Sequence, residues 1–290
     1  MSLIEQLRQI PLSHNQTVYM MVDGTQLKEL AKSLYQIQGQ LTLEPIYLYE
    51  PHNTLIFVSP YLVVATNNVI RWFAEQNNPL LGYFFTSDLN FDDLADGFRH
   101  FIKVKTPYDS SAYFKFANSE SAYVLLSTNS LQFWSLFKEV WLPTRHGFYH
   151  MQQPERLDIG LTSSVIKLSD EQWERLGDIV WRNTLDKITL HIKTWFPHLV
   201  ISLKEKDNWL ENWATYAYKN GFTSERDLLM FFNVIGFTSE ETITNKDIHN
   251  DIYTLINSIS HKTASQRIEE AAYLAEEYNK SKRQEIGNEC

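Results

Sequence analysis

Five consecutive apolar residues, Val18-Tyr19-Met20-Met21-Val22, stop abruptly at Asp23-Gly24. A run of that length, rich in β-formers and bounded by a turn pair, reads as a buried strand. Leu27, Leu30, Ala31 and Leu34 follow at helical spacing, so the strand is expected to feed a helix through a two-residue turn. Asp23 is suited to accept backbone N–H bonds at that turn or at the helix N-terminus. Gly24 offers a residue that can take positive φ at no steric cost.

The same stretch invites a chemical reading. A strand ending in Asp-x-Asp-Gly-Thr is the nucleophile loop of haloacid-dehalogenase-like phosphatases, and Val22-Asp23-Gly24-Thr25 is similar to its second half. The nucleophile's position holds Met21. A thioether does not attack phosphorus as a carboxylate does, and a single carboxylate is a poor seat for Mg²⁺. Other chemical constellations are equally thin. His146 and His150 have helical metal-ligand spacing, but Gly147 lies between them and no third ligand is near in sequence. His191 and His198 flank a helix end and suit packing or dipole stabilisation. There is no phosphate-binding glycine loop, His-Glu-x-x-His or Gly-x-Ser-x-Gly motif. No catalytic, cofactor-binding or metal-binding residue is assigned.

A resemblance covers more of the chain. Tyr19-x-x-x-Asp23-Gly24-x-Gln26 resembles the opening signature of the type VI secretion effector chaperone/adaptor family, catalogued as domain-of-unknown-function family 4123. Ser59-Pro60-Tyr61-Leu62-Val63 is similar to its next strand, and Gly82 to Ser87 to the one after. Leu94 to Val104, containing Arg99, resembles the following helix and strand. Phe114-Lys115-Phe116-Ala117-Asn118 stands where the family has Phe-Arg-Phe-Tyr-Asp-Pro. Lys115 in place of Arg is a point charge and lacks the bidentate fork. Lys219 to Asp227 is similar to a later stretch of the same family, which adds Phe222, Glu225 and Asp227 to the candidate partner-binding residues. Trp209 and Trp213 join them as aromatic anchors, although most tryptophans of this region suit a core.

The chain is expected to form two lobes. Strands at 18–22, 61–64 and 81–85, a second strand within 45–58, a hairpin at 102–116, and helices at 25–38, 67–76, 91–101 and 130–140 make residues 1–145 a mixed α/β lobe. That alternation suggests a mixed sheet. Residues 146–167, with Gly147, Pro154 and Gly160, read as a connector. From 168 to 290 the pattern is all-helical, opening on the capping box Ser169-Asp-Glu-Gln172 and including a helix from Ser224 closed by Gly236.

Charge narrows the partners. The net charge is −9, and from residue 168 onward 14 Lys+Arg face 20 Asp+Glu. No basic patch suggests nucleic acid. The lone cysteine, Cys290, can form no internal disulfide and reads as an idle thiol. The N-terminus lacks a signal-peptide pattern and no apolar run reaches membrane-spanning length, so a cytoplasmic location is expected. The resemblance implies a non-enzymatic adaptor that binds a secreted effector and helps load it onto the trimeric spike. Both lobes are expected to hold client and spike segments, in or beside the groove between them, with the bound segment largely apolar. Two alternatives stand beside it: an immunity-type toxin binder, and a small-molecule enzyme sited between the lobes with Asp23, Arg99 and Asp109 as its polar set.

Overall fold

The computed structural model describes residues 3–12, 16–155, 165–205, 208–258 and 260–288, so Cys290 and Gly160 lie outside the described residues. The chain divides into two compact units, Met1–Ile179 and Val180–Cys290. The first combines sheet and helices and the second is all-helical.

In chain order the first unit contains α1 (Leu3–Leu7), β1 (Val18–Val22), α2 (Leu30–Tyr35), β2 (Leu43–Pro45), β3 (Tyr61–Val64), α3 (Asn67–Glu75), β4 (Gly82–Thr86) and α4 (Phe91–Arg99). It continues with β5 (Lys103–Lys105), β6 (Ser111–Tyr113), α5 (Ser119–Ser127), α6 (Leu131–Trp134), β7 (Glu139–Thr144) and β8 (Gly147–Gln152). Six strands form one sheet in the order β2-β3-β1-β4-β7-β8. Every pair in it is antiparallel, which replaces the mixed sheet that the strand–helix alternation suggests. β5 and β6 make a separate hairpin.

β1 is buried along its whole length. Its alternate residues serve two cores, as the period of a strand requires. Tyr19 and Met21 point to a cluster with Leu62, Phe85, Phe98, Phe116 and Phe137. Val18, Met20 and Val22 point to a second cluster with Leu34, Val69, Phe73 and Phe84. A strand covered on both faces has no polar side, which explains the unbroken apolar run.

Three local expectations are corrected. Residues 46–48 and 53–58 are 3₁₀ turns, and the strand expected there is confined to β2. The helix expected over 130–140 is only α6. The helix actually built here is α5, buried at Ser119, Glu120, Ser121 and Ala122 as well as at Val124, Leu125 and Leu126. Burial nearly all round leaves it no polar face to read. The described residues of the expected connector at 146–167 belong to the first unit. β8 occupies their first part, and Ile166 and Leu168 are core residues whose backbone bonds Lys105. The first unit therefore extends beyond residue 145.

α7 (Asp170–Trp195) begins in the first unit and ends in the second. Its start is the predicted capping box: the Ser169 hydroxyl accepts the Gln172 N–H at 3.1 Å, and the Gln172 side chain accepts the Ser169 N–H at 3.0 Å. The second unit adds α8 (Val200–Glu205), α9 (Trp209–Lys219), α10 (Glu225–Phe237), α11 (Glu240–Thr244), α12 (Asn250–Asn257) and α13 (Ala264–Asn288). α10 fills the centre, burying Leu228, Phe231, Phe232, Val234 and Ile235. Gly236 does not end this helix as expected. It lies inside it, where a Cβ would stand 2.3 Å from the Phe196 ring. The glycine serves ring-to-backbone packing.

Arg267 of α13 ties three helices together. Its guanidinium donates to the carbonyls of Leu255 (3.0 Å), Ile256 (3.2 Å) and Ser258 (3.1 Å) at the end of α12, and to Asn220 (2.9 Å) just past α9. It also lies 5.1 Å from the centroid of the buried Phe222 ring. Helix C-termini leave carbonyls without intrahelical partners, and a cation there answers both the hydrogen bonds and the dipole. Arg267→Met keeps the stem's packing but strands these acceptors. It is expected to cost about 2–4 kcal/mol, with Arg267→Lys intermediate because an ammonium cannot span the same fork. Denaturant unfolding of the full chain measures this; a loss below about 0.5 kcal/mol would refute the role.

Candidate functional site

The turn after β1 is locked to its neighbours. The Asp23 N–H donates to the Leu81 carbonyl at 2.7 Å. Its Oδ1 accepts both the backbone N–H and the hydroxyl of Thr25, each at 2.8 Å. Asp23 thus caps the turn and not a helix, since α2 starts only at Leu30, after Glu29 in the left-handed region. Its side chain is buried, and Oδ2 has no hydrogen-bond partner among the described residues. Gly24 is needed for close approach, and its φ is not positive. A Cβ there would stand 2.1 Å from the Ser59 carbonyl oxygen and 2.6 Å from that of Val58.

What Gly24 abuts is the return of a projecting segment, residues 46–59, which leaves edge strand β2 and re-enters the sheet at β3. Its two ends are pinned side by side. The Ile46 N–H donates to the Pro60 carbonyl at 2.9 Å, and the Tyr47 N–H to the Ser59 hydroxyl at 2.9 Å. That hydroxyl in turn donates to the Pro60 carbonyl at 2.8 Å. Arg99, from the end of α4, donates through Nε to the Ile46 carbonyl at 3.3 Å and pairs with Glu44 and Asp96. Its guanidinium also lies 4.6 Å from the Tyr49 ring centroid. His52 touches the Tyr47 ring (6.1 Å between centroids) and, edge-on, that of Tyr113 in β6 (5.8 Å). Lys103 stands 5.0 Å over Tyr113.

The electrostatics follow from this packing. Burial, with the negative Asp23 and Tyr113 close by, pushes the Tyr47 phenol up to about 12. Burial and the Lys103 ammonium lower the His52 imidazole. Both groups are held neutral at physiological pH.

The segment exposes large apolar side chains alongside Glu50, Asn53 and Thr54. Phe57 is 76% exposed, Tyr49 59% and Tyr113 56%, with Leu48 and Ile56 beside them in sequence and also exposed. Exposed aromatics over a cation and a neutral imidazole form a surface that can take up another apolar group by stacking and desolvation. Leu48, Tyr49, Ile56 and Phe57 lie where a strand is expected, and Tyr113 in the expected hairpin. Tyr49 and Phe57 fit a strand as well as a turn, and only the fold puts them outside.

The sequence-predicted residues separate into those that hold this segment and those that fill cores. Gly24, Pro60 and Arg99 hold it, and Asp23 fixes the turn that carries Gly24. Gln26 closes the turn by donating its N–H to the Asp23 carbonyl at 3.1 Å. Tyr19 stacks on Phe85 at 5.6 Å, and Leu62 joins the same core. Phe114 and Phe116 are buried, Phe116 stacked on Phe98 at 5.6 Å, while Lys115 between them faces outward. Ser87 accepts the Leu89 N–H at 3.1 Å. Asn118, where the family has Asp, caps α5 through Glu120 and Ser121.

Asp23, Arg99 and Asp109 do not form one polar set. Asp109 is exposed and bonds Lys167 at 2.7 Å, which holds its carboxyl below the usual range. Asp23 and Arg99 are committed as described. His150 stacks on Trp141 and bonds Glu139 at 2.9 Å, and no cluster of metal-ligating side chains occurs among the described residues. His191 bonds Asn233 at 2.6 Å, and His198 packs against Phe196.

In the helical unit, Phe222 and Trp209 are core residues, and the Trp213 indole donates to Glu240 at 3.3 Å. Asp227 is buried and accepts from Ser265 of α13 at 2.9 Å. Glu225 pairs with Lys187 at 2.6 Å on the surface. Of these candidate partner contacts, Phe222, Trp209 and Asp227 are sequestered in the unit's own packing.

No helix among the described residues is long and apolar enough to cross a membrane. Residues 18–135, from β1 through α6, match the model of a domain of unknown function, DUF4123. The whole chain is similar to the accessory protein VasW of Vibrio cholerae serotype O1: 42% identical over 279 residues, covering 96% of this chain and 94% of the relative. No solved structure matches it. Matched nearly end to end by that relative and carrying the domain's signature in order, the chain belongs to the type VI secretion effector chaperone/adaptor family.

Proposed function

We propose that within type VI secretion this protein is an effector adaptor that binds a client through the aromatic surface at 48–57 and Tyr113 and helps load it onto the trimeric spike. The observation that carries the reading is the convergence of the signature on one segment. Gly24 abuts its exit, Ser59 and Pro60 bond its entry, Arg99 braces it, and its own exposed residues are Leu48, Tyr49, Ile56 and Phe57. A fold that spends buried polar groups on holding apolar side chains outward is built for contact. Large exposed aromatics are the side chains that most often dominate binding energy.

The mechanism is binding. A mainly apolar client segment, ordered as it binds, covers the aromatics and leaves the charged residues as a rim. The adaptor acts in the cytoplasm of the producing cell and bridges client to spike. The relative's description as an accessory protein supports such a role.

Tyr49→Ser with Phe57→Ser tests this directly. Both side chains are exposed, so the full chain keeps its stability within about 0.5 kcal/mol. Its affinity for an effector that co-purifies with the unaltered chain, measured by calorimetry, is expected to fall at least about tenfold, the equivalent of 1.4 kcal/mol. Unchanged affinity would place the client elsewhere.

The bracing residues should behave differently. Asp23→Ala loses a cap and costs about 0.5–2 kcal/mol, while Gly24→Ala forces backbone apart and costs about 1–3 kcal/mol. In both, binding weakens in step with disorder of the segment, which limited proteolysis within residues 46–58 reads. A variant that melts like the parent yet binds nothing would give Asp23 a direct contact role.

A further inference from the structure

The sheet's two edges are treated differently. β2 is three residues long, ends in Pro45 and passes at once into 3₁₀ structure, so it offers almost no ladder to another strand. β8, at the other edge, is six residues long with the sequence GFYHMQ and contains no Lys, Arg, Asp, Glu or Pro. Natural edges are ordinarily blunted by such residues, and this one is not.

Register fixes which of its backbone groups face outward. The Gln153 N–H donates to the Lys138 carbonyl at 2.8 Å. The opposed pairs Val140–Met151, Leu142–Tyr149 and Thr144–Gly147 therefore carry the ladder bonds to β7, because these alternate along an antiparallel pair. Phe148, His150 and Gln152 turn their N–H and C=O groups away from β7. No partner for those groups occurs among the described residues.

The side chains suit an added strand. Tyr149 and Met151 lean on the core of one face, Phe148 on that of the other, and His150 stacks on Trp141. A neighbouring strand would find apolar surface on both sides of the sheet. Charge selects among occupants. Glu139 by this edge is paired with His150, Lys138 and Arg145 flank the same hairpin, and the chain carries −9 overall. A second copy would bring the same negative charge, whereas a neutral or basic segment meets none.

We propose that the outer edge of β8 takes an extended, apolar, neutral-to-basic segment of a partner polypeptide as a seventh strand. The backbone ladder supplies affinity, and alternate side chains supply selectivity. This contact is independent of the aromatic surface, which projects from the β2 end. β2, from which the aromatic segment leaves, and β8 are opposite edges of the sheet, on the order of 24 Å apart at the usual strand spacing.

The test titrates an acetylated, amidated Lys-Thr-Val-Thr-Val-Thr-Val-Thr-Lys peptide into the ¹⁵N-labelled full chain and follows amide exchange. Binding is expected to slow exchange about tenfold at Phe148, His150 and Gln152 and to leave Tyr149 and Met151 unchanged. Gln152→Pro removes one outward N–H and no bond to β7, and should weaken binding at least tenfold; Gln152→Ala should stay within twofold. If Gln152→Pro unfolds the chain, the same peptide N-methylated on alternate residues provides the control, and it must lose binding to the unaltered protein. The proposal is overturned by any of three results: the three amides already exchange slowly in the free protein; millimolar peptide protects none of them; or the chain sediments at twice its mass through this edge.

Discussion

The first unit depends on one strand being buried on both faces. β1 contributes Tyr19 and Met21 to one core and Val18, Met20 and Val22 to the other, and it hydrogen-bonds β3 on one side and β4 on the other. A strand in that position has no freedom of register. A slip by one residue would exchange the two sets of side chains between cores of different shape. The turn that ends it inherits this fixity. Asp23 is bonded to Leu81 on the β4 side, while Gly24 abuts residues 58 and 59 on the β3 side. The aromatic segment is therefore aimed by the centre of the sheet, although it projects from the edge.

Signature residues in this protein are scaffold more than surface. Arg99 makes the point most clearly. An arginine within a family signature invites a role in gripping a partner. Here its Nε–H goes to the Ile46 backbone, its guanidinium to Glu44 and Asp96, and its flat face to Tyr49. The shape of this exposed aromatic surface is set beneath it, by groups that are not themselves part of it.

Sequence reasoning succeeded where periodicity and burial agree. β1, β3, β4, α3, α4 and the capping box of α7 were legible because each has one dominant pattern. It failed where burial erases the pattern, as in α5, whose Ser119, Glu120 and Ser121 are as buried as its leucines. It failed again over 46–58, where aromatic and β-branched residues occupy 3₁₀ turns. Propensity describes fit to a half-buried pleat, and tertiary contacts override it there. By sequence Gly24 reads as a turn residue and Gly236 as a helix stop, but each is glycine because another residue's atoms occupy the space a Cβ would need. Arg267 carried no signal at all, since the carbonyls it satisfies belong to segments separated from it along the chain.

The sheet order has a consequence for how the chain is made. Val18 to Val22 find their partners only when residues 61–64 and 82–86, which come later in the chain, have followed. For that interval a wholly apolar strand is present without either neighbour, the kind of segment that aggregates or recruits a chaperone. The hairpin of β7 and β8, by contrast, closes on itself across two residues. Synthesis therefore leaves the sheet's centre waiting for its partners, while its far edge can form at once.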